Sequence, residues 1–387
     1  MRIAWDLQAV TGPRPTGLGV SVRLLLDAFR LHCPDVELRG LPPNLRDAPL
    51  RSVLDRVSWE QWRLPRDVAR ANAAKPLDLL YSPALGAPLR CRVPVVAHVH
   101  DLIALRYPEQ FSGPAGWYWK RLLPETWRRC RAITVSNASL VDEVSQLLPY
   151  PRARIHVVPY YPDPELKPLA ANVGDLAGDP AFDLRGDLQR IPANGERFFM
   201  TLASYEPRKN IELAIRALGL LKQRGLSARL VCAGLYSPHF ERLRRLVSDC
   251  GVAELVRFAD YLPPWEIVSY LRRATALLFV SRYEGYGMPP QEAQSVGCPV
   301  VLSDIACHRA VYADAQRLAM LPPELAVAPP LVGVDDAEAL AQQMQRLLQD
   351  DAWRALLSRA GLAYCETFSA GATAQALRAA FTAALER

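Results

Sequence analysis

The sequence predicts an α/β protein built as two facing, doubly wound, Rossmann-like parallel-sheet domains with a cleft between them. Three observations carry this. The chain has 387 residues, more than one hydrophobic core usually organises. Apolar strand-like runs alternate with helix-period segments over most of its length, the pattern that produces parallel sheets. The alternation lapses between 162 and 196, where Pro, Gly, Asp and Asn dominate, as in a connection between domains. The expected boundaries are a first domain at 1–165, a linker at 166–196, a second domain at 197–368, and a helix at 369–387 that could return to the first domain.

In the first domain "RIAWD" reads as a strand, and the glycine-bearing loop "TGPRPTGLG" follows. "VSVRLLLDAFRLH" has its apolar residues at helical spacing. "LDLLYS" is a strand, and "VPVVAHV" is the near-continuous apolar run of a strand buried on both faces. "RAITVS" leads into the helix "NASLVDEVSQLL", and "RIHVVPYY" is the next strand. The second domain repeats the alternation: "RFFMTLAS", then the helix "IELAIRALGLLKQRG" closed by Gly225. The pairs "ARLVCAG" and "PHFERLRRLVSDCG", then "VRFADY" and "PWEIVSYLRRA", continue it. "TALLFVS" and "CPVVLSD" are strands, residues 313–333 show no clear period, and 336–366 and 370–386 read as helices.

Half of the residues are hydrophobic and 22% are charged, the composition of an ordinary globular protein. No apolar run reaches about 18 residues, so no membrane span is expected. "MRIAWDLQAV" reads as a strand rather than a signal peptide. The expected location is the cytoplasm. The eight cysteines form no C-x-x-C pair and stand mostly in apolar contexts; they read as reduced and buried, and no metal site is expected. The net charge of +6 suits anionic substrates or an anionic membrane surface. No zinc-finger, basic-zipper or RNA-binding signature is present, so no nucleic-acid partner is expected.

Chemistry concentrates in "SRYEGYGMPPQEAQSVGCPVV". Glu284 follows a strand, at the sheet edge where ligands of doubly wound folds bind. Gly285 and Gly287 allow close backbone approach, Pro289 and Pro290 suit a first helical turn, and Gly297 suits its end. Glu292 falls in that turn, with seven residues between it and Glu284. Both carboxylates could accept from the paired hydroxyls of a sugar or ribose. Alternatively, Glu292 offsets the helix dipole and Glu284 is solvated. In "SYEPRKNIELAI", Asn210 can cap a helix, with Arg208 and Lys209 just before its start. Cations there oppose the dipole unless an anion such as phosphate binds. In "HVHDL", His100 and Asp101 end a buried strand; the imidazole could donate to a sugar hydroxyl or phosphate, or be structural. Gly17 and Gly19 mark a strand-to-helix turn, a weak signal alone. The chain has no D-x-D, so neutralising a diphosphate would fall to Arg208, Lys209 and helix N-termini.

"SRYEGYGMPPQEAQSVGCPVVLSD" resembles the E-x7-E donor motif of retaining glycosyltransferase family 4, of GT-B fold. "EPRKN" resembles that family's phosphate loop, and "HDLIALRYPEQF", "RAITVSNAS" and "RIHVVPYY" resemble parts of its first domain. The resemblance covers nearly the whole chain and is closest to bacterial members that transfer mannose or a similar hexose in surface-polysaccharide assembly, lipopolysaccharide included. It implies that Glu284 and the backbone of Gly285, Tyr286, Gly287 and Met288 hold the donor sugar, and that Glu292 binds the ribose. Arg208 and Lys209 would hold the diphosphate, His100 would touch the donor sugar, and Gly17 and Gly19 would admit a phosphate. His100 and Glu284 are the implied catalytic residues, with no metal and no cofactor. The nucleotide-diphosphate sugar is a substrate: a GDP-sugar first, a UDP- or dTDP-sugar otherwise. The acceptor would be a glycan or lipid-linked glycan, and the anomeric configuration would be retained.

Three departures stand out. Ala203-Ser204 replace a usual Gly-Arg, Tyr160-Tyr161 replace a usual Asn-Gly, and Ala310 stands where many members have glutamate. The rival readings are a nucleotide-sugar 2-epimerase-like isomerase and a catalytically degenerate sugar-nucleotide-binding protein. Separately, residues 114–131, "PAGWYWKRLLPETWRRCR", gather three tryptophans, a tyrosine and several basic residues, as interfacial segments do. They point to peripheral contact with an anionic inner-membrane surface, or else to a core helix with a solvated basic face.

Overall fold

The computed structural model describes residues 1–10, 17–42, 52–111, 113–166 and 196–386. The expected linker lies outside them apart from residues 166 and 196. By compactness the chain divides into one unit formed by Met1–Tyr161 with Phe368–Arg387 and a second formed by Pro162–Thr367.

The first unit holds a six-stranded parallel sheet of β1 (Arg2–Asp6), β2 (Glu37–Leu41), β3 (Leu79–Ser82), β4 (Val95–Val99), β5 (Ala132–Val135) and β6 (Ile155–Val157) in the order β2-β1-β3-β4-β5-β6. The central strands β3, β4 and β5 are buried throughout, which is why they read as unbroken apolar runs. β2 escapes the sequence reading because it is an edge strand with alternating exposed and half-buried residues. The helix Ala370–Leu385 belongs to this unit and packs on Gly17–His32. Its Phe381 ring meets Trp5, Phe29 and Tyr81 at centroid distances of 6.4, 5.3 and 5.0 Å.

Two helical segments of this unit share a device. A π-helical turn at Trp59–Arg63 precedes Pro65, and another at Tyr118–Leu122 precedes Pro124. In each, the residue before the proline donates its N–H five residues back, and the proline, which has none to donate, continues the helix. This turns Tyr118 and Trp127 into the core and packs Trp119 against it, while Trp117 stays 58% exposed. Most of the aromatic face of 114–131 is therefore core, which leaves Trp117 and the exposed basic residues as what an anionic surface could meet.

The second unit holds β7 (Phe198–Leu202), β8 (Arg229–Ala233), β9 (Val256–Ala259), β10 (Ala276–Phe279), β11 (Val300–Ser303) and β12 (Leu331–Val332), all parallel, in the order β12-β11-β10-β7-β8-β9. The helix Ile211–Gln223 buries Leu213, Leu218 and Leu221 against this sheet. Gly225 ends it at φ +73°, a conformation glycine adopts without strain. The predicted class, two doubly wound parallel sheets, is therefore observed. The eight cysteines are free and six of them are buried. Among the described residues no helix is long and apolar enough to cross a membrane.

Candidate functional site

In a doubly wound sheet the ligand crevice opens at the carboxyl ends of the strands, where the strand order reverses. In the second unit that point lies between β7 and β10. The loops after these two strands carry Arg208 and Lys209 on one side and Glu284–Met288 on the other. They are tied together: Arg282 N–H donates to Arg208 O at 2.8 Å. Asn210 Nδ2 donates to Val280 O at 3.0 Å and to Val334 O at 2.7 Å. Asn210 is left-handed (φ 55°) and its side chain makes no cap bond, so the expected capping role is corrected to one of joining loops.

This splice brings three of the expected residues into one cluster. Lys209 Nζ lies 2.6 Å from Glu284 Oε1, and Arg208 Nη1 lies 3.5 Å from Glu284 Oε2. Lys209 also stands 5.4 Å from the centre of the Phe279 ring, a cation–π distance. Glu284 is buried at 9% exposure. Burial pushes its carboxyl up, but the charges of Lys209 and Arg208 outweigh this and hold it below the ordinary value. The reading of Glu284 as a solvated carboxylate is thereby excluded. It is a buried, paired anion, and its cations are the residues the sequence suggests for phosphate.

The glycine loop is shaped from behind. Gly287 has φ +78° and directly precedes the helix Met288–Ser295. A Cβ there would come 2.9 Å from Phe279 Cε1, so both backbone and space require glycine. Cys307 Sγ–H donates to Tyr286 O at 3.2 Å, and Tyr312 O–H donates to Gly287 O. A trans peptide points its N–H opposite its C=O. The amides of Gly287 and Met288 are thus turned away from the helix Ala306–Tyr312. Gly297, at φ +81°, terminates the loop's helix as expected.

Glu292 is the helix's fifth residue, just past the first turn in which the sequence places it. Burial, and then the like charge of Asp163, push its carboxyl up to about 7. His308, overlooked in the sequence reading although "HR" follows β11, donates Nδ1–H to Ser303 O at 2.8 Å. Its Nε2 is buried without a partner among the described residues, 3.6 Å from where a Gly287 Cβ would be.

In the first unit the order reverses between β1 and β3. Gly17 opens its helix and Gly19 is the third residue, so both lie in a first turn and not in the loop before it. Nothing stands within 4 Å of a Gly17 Cβ position. His100 follows β4 and is held at both nitrogens: Nε2 lies 2.6 Å from Pro83 O and Nδ1 2.8 Å from Tyr160 Oη. A carbonyl only accepts, so Nε2 carries the proton and Tyr160 O–H donates to Nδ1. Tyr160 Oη therefore accepts from His98 Nε2–H at 2.9 Å, and both imidazoles are neutral. Burial depresses both, His100 to about 4. Tyr160, noted in the sequence only as a departure, is the link between the two histidines.

The same crevice buries two carboxyls that the sequence reading passed over. Asp6 ends β1 and accepts from Trp59 Nε1–H at 3.2 Å. Glu60 accepts from Tyr118 O–H at 2.8 Å and from Gly86 N–H at 3.2 Å. Burial pushes Asp6 up to about 6 and Glu60 up to about 7. Asp101 accepts from Ile103 N–H at 3.0 Å, a local turn bond. Among the described residues no three His, Cys, Asp or Glu side chains gather as a metal-ligand set.

Residues 17–165 match the family model Glycosyltransferase Family 4, and residues 188–362 match Glycosyl transferases group 1. The chain is 28% identical over 276 residues to O-antigen chain mannosyltransferase B of Escherichia coli, covering 71% of this chain and 66% of that protein. It is 26% identical over 339 residues to the serotype-specific mannosyltransferase WbdA of Escherichia coli, covering 83% of this chain but 38% of that protein. Among solved structures, Anabaena Alr3699/HepE in complex with UDP-glucose matches with a TM-score of 0.66 over 99% of both chains at 15% identity. At that identity the likeness is one of fold.

Proposed function

The chain belongs to the family-4 type of glycosyltransferases with the GT-B fold, and we propose that it moves a hexose, mannose first, from a nucleotide-diphosphate sugar to a glycan or lipid-linked glycan. The setting proposed is polysaccharide assembly, in keeping with the two mannosyltransferase relatives. Transfer would proceed with retention and without a metal. A GDP-sugar is the first donor to test, with UDP- and dTDP-sugars beside it, since the fold neighbour was solved with UDP-glucose.

The observation that carries this reading is the Lys209–Arg208–Glu284 cluster at the β7/β10 crevice. A diphosphate is the stronger anion and would draw Lys209 and Arg208 from Glu284. The freed carboxylate would accept from sugar hydroxyls, with the Gly285–Met288 backbone, Tyr286 included, around the same sugar. As the sugar–oxygen bond breaks, the two cations and the backbone amides of the loop would offset charge on the departing diphosphate. A phosphate oxygen would take the acceptor's proton while the new glycosidic bond forms on the face being vacated. Glu292 would accept from the ribose hydroxyls. In the first unit, His100 would exchange its Nε2–H donation from Pro83 O to a substrate hydroxyl, and Gly17 and Gly19 would leave room for phosphate.

Calorimetry with nucleoside, monophosphate and diphosphate tests the roles. Glu292→Gln should weaken even the nucleoside roughly ten- to hundredfold, the scale of one charge-assisted hydrogen bond. Lys209→Ala should weaken the diphosphate and leave the nucleoside unchanged. Glu284→Gln removes a competitor for Lys209, so diphosphate affinity should hold or rise while kcat falls. Equal loss of nucleotide affinity in both glutamate variants would overturn the assignment. Conversion of donor alone into a different nucleotide sugar would replace transfer by epimerisation.

A further inference from the structure

The first unit has a second polar concavity, away from its crevice. A cavity of about 640 Å³ is lined by Arg90, Arg92, Arg128, Arg129, Arg131 and Arg154. These residues lie before or beside the starts of β4, β5 and β6. The cavity therefore opens at the amino ends of these strands. His100 follows the opposite end of β4, a five-residue strand spanning roughly 15 Å at about 3.3 Å per residue. The two features occupy opposite edges of one sheet.

The positive charge around this hollow is only partly balanced. Glu125 pairs with Arg129 at 2.9 Å and with Arg128 at 3.6 Å. Among the described residues no carboxylate lies within ion-pair distance of Arg90, Arg92, Arg131 or Arg154. By contrast Arg2 pairs with Glu37, Arg106 with Glu143, Arg152 with Asp142 and Arg378 with Asp35. Gathering guanidinium groups around one hollow does nothing for the strands beneath it, because like charges repel. The hollow is concave, its cations are all arginine, and each guanidinium presents a planar fork that matches two phosphate oxygens. Part of the basic run at 128–131 thereby gains a use that does not depend on its neighbouring tryptophans.

We propose that this arginine-lined pocket at the amino edge of the first sheet is a binding site for phosphate groups, separate from the nucleotide-sugar site. The phosphate is carried either by a soluble polyphosphate ester or by a lipid headgroup. The site adds to the transferase reading and does not depend on it.

The test compares the full chain with the triple variant Arg92→Gln, Arg131→Gln, Arg154→Gln and with a control, Arg244→Gln, whose exposed arginine pairs with Glu241. Inorganic pyrophosphate binding is measured by calorimetry, with nucleoside diphosphate present to occupy the donor site. Flotation is measured with phosphatidylcholine vesicles with and without phosphatidylglycerol. Stabilisation by nucleoside diphosphate, read by thermal unfolding, verifies that the triple variant is folded. A pyrophosphate affinity reduced tenfold or more in the triple variant alone, and weakened by salt, supports the site with a soluble ligand. Loss of flotation on the anionic vesicles, with pyrophosphate binding unchanged, supports it with a lipid ligand. A triple variant that matches the parent chain in both arms overturns the proposal.

Discussion

The two sheets open comparable crevices and furnish them in opposite ways. At the β1/β3 crevice of the first unit, burial suppresses charge: Asp6 and Glu60 are pushed up, and His98 and His100 are pushed down. At the β7/β10 crevice of the second unit, pairing preserves it: Glu284 stays ionised beside Lys209 and Arg208. The same desolvation acts in both, and the presence of a countercharge decides the outcome. A hydrogen-bonded rim whose charge is reduced by burial suits hydroxyl groups, whereas a rim of exchangeable ions suits phosphate. The architecture is shared; the electrostatics divide the labour.

The largest effect that would break this comparison is on stability. Lys209→Ala leaves Glu284 buried with only the longer Arg208 contact, and should cost about 3–5 kcal/mol in chemical denaturation. Adding Glu284→Gln should restore most of it. A Lys209→Ala cost under about 1 kcal/mol would mean that the pair behaves as a surface ion pair and that burial is not decisive.

Next in size is the pH dependence, where the crevices should differ in sign. Glu60 binds its proton more tightly folded than unfolded. Its contribution is therefore present below its unfolded value and is lost as pH rises towards its folded value of about 7. The shift corresponds to roughly 3 kcal/mol at about 1.4 kcal/mol per unit, and Glu60→Gln should remove that slope. Glu284 is depressed, so its contribution is present above its unfolded value and is lost as pH falls through the folded one. Hydrogen exchange followed separately on β3 and β10 across pH would read the two signs; parallel trends would refute the contrast.

The smallest effect sharpens the account of Glu292. Its carboxyl sits at about 7, and only the ionised form accepts from both ribose hydroxyls. Nucleoside affinity should fall about tenfold between pH 8 and pH 6, a change of about 1.4 kcal/mol. It should be flat over that range in Glu292→Gln. A wild-type affinity independent of pH would remove Glu292 from the ribose.

How far the sequence foretells this depends on what each feature requires. Strands such as β4 and β10 are legible because they are buried along their whole length. β12, two residues long, leaves no period to detect, and residues 53–74 conceal their helices behind a π-helical turn and Pro65. Glu284 and Lys209 were each legible as candidates, but their pairing across 75 positions is a product of strand order. Asp6 and Glu60 were missed because a carboxylate in a sequence reads as solvated until the structure shows what covers it. Tyr160 was visible only as an oddity, because its purpose is to join two histidines some 60 positions away.

The return of Ala370–Leu385 to the first unit sets an order of assembly. The second unit is continuous, Pro162–Thr367, and can close as soon as it has left the ribosome. The first cannot, because Phe381, which faces Trp5, Phe29 and Tyr81, is made more than two hundred residues after β6. Domains usually mature from the N-terminus onward; here the half begun first is completed last. Through synthesis of the entire second unit, the nascent first sheet keeps that aromatic patch uncovered. Chains stalled before residue 370 would release it in the same state, ready for a chaperone or for each other.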